Sequence, residues 1–269
     1  TIIDTLFVKN AKKSLDKLNL RHRHYIKSEK YKGEIHFSTG SNTARSSSNF
    51  YALNNAIATL FEIRGVGIGK TSFKRRINSG LSVGFSFLKT AYENSIFIFD
   101  EIAKANTYSN DIVLEHQRSI YTDVIKAIDI GSNEMIDFET TMHSSKDSYA
   151  ISKRDRPLAY IIKQNNFGFI EKLKDVGIDY VELQKDTVIY SGGYRVIEFN
   201  DNFKVYEKMR MQKVVTSIEY NDNGFSKGDI LISMNQKRSN LIAELLEPEA
   251  PNSYVSFGII NTCLLYTSD

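Results

Sequence analysis

From residue 73 onward the apolar positions of this 269-residue chain fall at Phe73, Ile77, Leu81, Phe85, Leu88, Tyr92, Ile96, Phe99 and Ile102. Spacings of three or four keep one stripe of a helix apolar, which predicts a single long helix over residues 73–102. Gly80 and Gly84 lie inside it, each weakening a helix by about 1 kcal/mol relative to alanine, so a kink or a close neighbour is expected there. Just upstream, Ala56, Ile57, Ala58, Leu60, Phe61 and Ile63 make an apolar run of strand length. They predict a buried strand. Gly65, Gly67 and Gly69 then free the backbone for an unusual turn into the helix.

The remaining pattern is shorter in period. Residues 2–18 carry Leu6, Ala11, Leu15 and Leu18 at helical spacing between lysines, and a basic Arg21, His22, Arg23, His24 connection comes next. Residues 33–37 predict a short strand and residues 38–49, rich in serine, asparagine and threonine, a loop. Ile112, His116, Ile120, Val124 and Ile128 predict a second helix over residues 112–130, stopped at Gly131. Residues 135–152 are strand-like. Residues 158–162, 167–176 and 178–183 read as strand, helix, strand, with Gly177 ending the helix. Residues 188–199, 213–220 and 229–234 add strands, the last two joined through a turn at Asn221 to Gly224. Ser239 is expected to cap a last helix that ends before Pro248. The fold class is α/β: a mixed-sheet part first, then a smaller α+β region.

Composition changes this picture little. With 41% hydrophobic and 25% charged residues the chain can bury a sizeable core. No run of about 18 apolar residues occurs, so no membrane span is expected. A net charge of +3 is too mild to imply a nucleic-acid partner, and Lys74, Arg75 and Arg76 read as a solvated face. The one cysteine, Cys263, falls in a closing stretch, residues 263–269, that is similar to a translated sequencing adapter and is set aside as a non-native tail. That leaves no disulfide and no thiol nucleophile.

The chemistry concentrates at Glu62. An acid at the end of a buried strand is costly unless it is paired, bound or catalytic. An ion pair with Arg64 is one reading. A phosphate cradle is another, because Gly69, Lys70 and Thr71 match the tail of a Walker A loop. The leading glycine of that loop would fall at Arg64, however, and the acidic Ile96 to Glu101 segment continues the helix stripe. Catalysis is the third.

The residues Tyr51, Leu53, Asn54, then Phe61, Glu62, Ile63, Arg64 and Gly65, then Phe73 and Arg76, resemble the segment around the catalytic glutamate of zinc metallocarboxypeptidases of the carboxypeptidase A-like family. A bacterial branch has a close equivalent of Glu-x-Arg-Gly-x-Gly and a C-terminal extension, whose landmarks resemble Pro157 to Ile162 and Leu245 to Glu249. The resemblance implies that Glu62 takes a proton from a zinc-bound water and passes it to the departing amine. It also implies a peptide or peptidoglycan-stem substrate with a free C-terminal carboxylate, and an extracellular or periplasmic enzyme. Arg45, the lone charge of the 38–49 loop, is the candidate for binding that carboxylate. The family's zinc ligands are a His-x-x-Glu pair and a later histidine, and none of His22, His24, His36, His116 and His143 begins such a pair. No metal ligand is therefore assigned here; His22 and His24 read as surface residues and His36 as a structural one. The expectation is a fragment, inactive alone: residues 1–107 the C-terminal portion of a carboxypeptidase-like catalytic domain, residues 108–262 an α+β accessory domain. A P-loop nucleotide-binding protein and a non-catalytic binding module are the alternatives.

Overall fold

One four-stranded sheet ties a hairpin from the first 40 residues to two long strands from the middle of the chain. The structure is a computed structural model, and it describes residues 1–65, 67, 69–107, 111–163 and 168–260; the tail at residues 263–269 and Phe167 lie outside the described residues. A π-helical turn, Ile3–Val8, runs into α1, Lys9–Asp16, and buries Phe7, Ala11 and Leu15 on one side. Strands β1, Ile26–Tyr31, and β2, Glu34–Thr39, form a hairpin in register Tyr31↔Glu34. Its two-residue turn has Lys32 at φ 50° and Gly33 at φ 91°, the positive pair that matches strand twist. After α2, Ser47–Leu53, and a 3₁₀ turn, Gly69–Ser72, come α3, Phe73–Glu93, and α4, Ser95–Asn106. Two long strands come next, β3, Ile112–Ile128, and β4, Met135–Arg154. The sheet order is β1-β2-β4-β3, with β2 and β4 parallel at Phe37↔Met142 and Ser38↔His143. The expected boundary at residue 107 runs through this sheet.

The second half holds β5, Ala159–Ile162, α5, Ile170–Asp175, β6, Val181–Glu182, β7, Thr187–Tyr206, β8, Met209–Phe225, β9, Ile230–Ser233, and α6, Ser239–Leu246. Strands β5 and β6 flank β9, and β7 pairs with β8 alone. The core sits where α5 and α6 cover the β5-β9-β6 sheet: Phe169, Leu173, Ile230, Ile232, Leu241 and Ile242 are all fully buried. Each such side chain contributes about 1.5–3 kcal/mol. Gly177, at φ 69°, ends α5 as expected, and the Arg238 guanidinium packs where a side chain would begin.

Several sequence expectations are corrected. The helix expected over residues 112–130 is instead strand β3, Ile112–Ile128; a spacing of four is also an even number, so it holds one face of a strand as well as one stripe of a helix. The single helix over residues 73–102 breaks into α3 and α4 at Asn94, whose φ is −121°. Asn221 to Gly224 are not the turn into β9 but the end of β8, with Gly224 opposite Val188. The reversal between β7 and β8 is at Glu207 and Lys208, at φ 47° and 71°. Ser239 is the first residue of α6, which has no side-chain cap. Residues 56–63 are in no strand. Among the described residues no helix is long and apolar enough to cross a membrane.

Candidate functional site

Glu62 is carried on an irregular segment that lies along α3 in the opposite direction. Phe61 meets Phe87 edge-on at 5.2 Å, and Phe87 in turn meets Phe7 at 5.1 Å. Ile63 lies against Gly80, 3.7 Å from where a Cβ would stand, which is the close neighbour that the helix glycine implied. Arg75 donates to the Arg64 carbonyl at 3.0 Å. The aliphatic part of Arg76 covers Gly65 so closely that any Cβ there would collide with it. At its start the segment is pinned by Asn55, whose side-chain amide donates to Asn106 Oδ1 at 2.9 Å and to the Lys237 carbonyl at 3.2 Å.

These anchors turn Phe61 and Ile63 toward the helix, and Glu62 between them faces outward. The expectation of a buried acid is corrected: Glu62 is exposed. Among the described residues it has no hydrogen bond or ion pair, with Arg64 or any other group. Its carboxylate is thus presented to solvent with every lone pair open. Nor do residues 57–63 make any backbone hydrogen bond among the described residues.

Arg45 is held elsewhere. Its guanidinium stacks on the Tyr206 ring at 3.8 Å and stands 5.8 Å from the Phe257 ring. It also faces the Glu244 carboxyl, whose pKa burial raises while Asn252 and Arg45 pull it back down. Stacking occupies the flat face of the guanidinium, and its edge donors form no hydrogen bond among the described residues. No contact joins Arg45 to Glu62. The glycine turn does lead into α3, but no strand precedes it, and Asp100 and Glu101 lie on α4, so nothing in this geometry favours a nucleotide cradle.

The histidines are where a structural reading puts them. His36 is buried; its Nδ1 is 2.9 Å from His143 Nε2 and its Nε2 is 3.2 Å from Glu34. His22 pairs with Asp16 at 2.8 Å, and His24 Nε2 lies 3.3 Å from Lys12 Nζ. Among the described residues no three histidine, cysteine, aspartate or glutamate side chains converge as a metal site. The residues present do not fit a zinc ion on their own.

A buried cluster passed unread in the sequence. Glu247 is fully buried and accepts from Arg154 at 2.6 Å, Tyr160 at 2.5 Å and Tyr194 at 2.8 Å. Burial, then the Glu247 charge, push the Tyr160 and Tyr194 hydroxyls well above the usual phenol range. Arg154 also reaches Glu249 at 3.4 Å, and Glu249 accepts from the Thr216 amide at 2.6 Å. Four strands and the end of α6 meet there. The sequence signal was the acidic pair flanking Pro248 after an apolar helix, a pattern that shows two acids and no partners.

No protein-family model matches the chain, and no solved structure matches it. Curated proteins do. Carboxypeptidase 2 of Trichophyton tonsurans and carboxypeptidase 2 of Trichophyton rubrum are each 26% identical over 262 residues, 96% of this chain and 49% of their own length. A probable carboxypeptidase 2 of Arthroderma benhamiae is 25% identical over 249 residues, 91% of this chain and 47% of its own. The chain spans about half the length of the curated relatives it matches. The similarity runs across nearly the whole of this chain.

Proposed function

We propose that this chain is part of a zinc metallocarboxypeptidase that removes the C-terminal residue of peptides, with Glu62 as the proton carrier. The observation that carries the reading is the similarity to proteins named carboxypeptidase 2 over 96% of the chain, in which Glu62 stands unpaired on the outer side of its segment. A carboxylate free of ion pairs can accept a proton from the attacking water and return it to the departing amine; that transfer is worth about 10²–10⁴ in rate. Covering such a carboxylate strengthens it as a base, because burial disfavours the charged form. Zinc is proposed to be held by residues outside this chain, and no step here runs through it. Arg45 is proposed to take the substrate's terminal carboxylate with the edge donors that stacking leaves open. A secreted or periplasmic enzyme acting on peptides or peptidoglycan stems is the setting we propose.

The chain alone is expected neither to hydrolyse an N-acylated dipeptide nor to bind zinc stoichiometrically; either activity in a pure sample overturns the reading. Supplied with the remaining half of a relative, it should release the terminal amino acid, and Glu62→Gln should cut kcat by at least about 10² with little change in KM. An unchanged kcat would remove Glu62 from the mechanism.

A further inference from the structure

An exposed apolar surface that the fold does not explain runs along α3 and α4. Leu81, Phe85, Leu88 and Tyr92 share one side of α3, Ile96 and Phe99 share one side of α4, and all are exposed, Tyr92 by 85%. The opposite side of α3 is the one packed within the chain: Val83, Ser86 and Thr90 are buried there, and Asn10 of α1 donates to Thr90 at 3.1 Å. Apart from Phe87, which packs on Phe7 and Phe61, the large apolar residues of α3 avoid the face that has a neighbour. Six such side chains offer on the order of 1,000 Å², more than monomers leave in one apolar patch and about one partner's share of a stable interface.

A second observation lies beside it. Residues 57–63 are rich in strand formers, yet their backbone N–H and C=O groups find no backbone partner among the described residues. The Thr59 hydroxyl in this segment is buried and unpartnered. An unpaired run of this composition is a template for another strand. Ile63, packed on Gly80, ties this segment to α3, the helix whose other side carries the stripe.

We infer that residues 57–63 and the outer stripe of α3 and α4 form one docking face for the half of a carboxypeptidase chain that lies outside the matched region. That half lends a sheet edge to residues 57–63 and lays an apolar face over the stripe. The identity of the occupant rests on the carboxypeptidase reading; the face itself rests on exposure and unpaired backbone. Length argues for this occupant, because the relatives carry as much chain again as they share with this one. Docking would also desolvate Glu62, which projects from the same segment.

The test is to produce this chain together with the part of Trichophyton rubrum carboxypeptidase 2 outside the matched residues, the relative's own matched half serving as the control partner. A one-to-one complex is expected by light scattering, with slowed amide exchange over residues 57–63. Leu88→Asp with Tyr92→Asp should weaken it at least tenfold, while Tyr190→Asp on the exposed β7 should not. Both stripe residues are already in water, so circular dichroism should show these variants folded. Absence of a complex when the control forms, or a complex indifferent to the stripe, overturns the inference. So does a dimer of this chain that the same substitutions dissolve, since the occupant would then be a second copy. Dipeptide hydrolysis is read separately: a stripe-dependent complex without it keeps the docking face and removes the peptidase reading.

Discussion

Phe169, at the entry to α5, has no exposed surface, whereas Phe85, in the middle of a longer and more regularly patterned helix, keeps 67% of its surface in water. The two residues represent two regions. Around α5, α6 and the β5-β9-β6 sheet, helices and strands close on each other, and the large apolar side chains go inside. Along α3 the amphipathic pattern is as strong as along α6, but its apolar stripe meets nothing among the described residues. Amphipathicity states that a face is to be covered; whether this chain supplies the cover is a separate fact.

The widest gap between the regions should show in truncations to alanine. Phe169→Ala should cost about 3–5 kcal/mol, the transfer of a buried ring plus the cavity it leaves. Phe85→Ala should change stability by no more than about 0.5 kcal/mol, as at an ordinary surface position. Urea midpoints measure both. A large loss at Phe85 would mean that its stripe is covered in solution by something, and a second copy would be the first suspect.

Next comes the polar anchor of the closed region. Glu247→Gln keeps the shape and one acceptor but removes the charge that Arg154 faces at 2.6 Å. Loss of a hydrogen bond to a charged group in a buried site should cost about 1.5–3 kcal/mol. The open region has no counterpart, because Glu62 has no partner to lose and Glu62→Gln should leave stability unmoved. A Glu247→Gln protein as stable as the parent would show that water already reaches the cluster.

A smaller effect is expected where the open region is best packed. Phe87 is wedged between Phe7 and Phe61, and aromatic pairs contribute about 0.5–1.5 kcal/mol each beyond area. Phe87→Ala should therefore cost about 1–3 kcal/mol and speed proteolysis within residues 57–63, whose backbone has no ladder to protect it among the described residues. Unchanged cleavage would mean that Ile63 and the Arg76 cover on Gly65 hold the segment without Phe61.

Where the sequence was readable, local pattern and local partner coincided. α1, β4 and β5 were visible in local pattern, and α5 and α6 in pattern with an end signal, at Gly177 and Pro248. Strand β1 did not, since Lys27, Ser28, Glu29 and Lys30 carry no apolar alternation and are strand only because β2 pairs with them. The turn at Glu207 and Lys208 has no glycine or asparagine to announce it; bulges near Val196 and Asn200 set the register instead. Residues 56–63 show the reverse failure: a strand's composition without a strand, because pairing is a property of two segments. Glu62 stood out as a lone acid in an apolar run, yet its exposure was not legible, since burial depended on that missing pairing.

The finest prediction concerns the seam between the loop before α2 and the closed region, where Arg45 stacks on Tyr206 of β7 and faces Glu244 of α6. Burial raises the Glu244 pKa above the ordinary carboxyl value of about 4.3. Between that value and the raised one, the unfolded chain has released a proton that the folded chain still holds. Stability is therefore fully present below about pH 4.3 and falls as pH rises through the folded pKa. Glu244→Gln should flatten this slope. Arg45→Met should steepen it, because the cation that holds the carboxyl down is gone, and the Glu244 resonance should titrate at higher pH. If Arg45→Met leaves that titration where it was, Arg45 is not seated at the seam, and its guanidinium is free to meet a substrate carboxylate with its face as well as its edge.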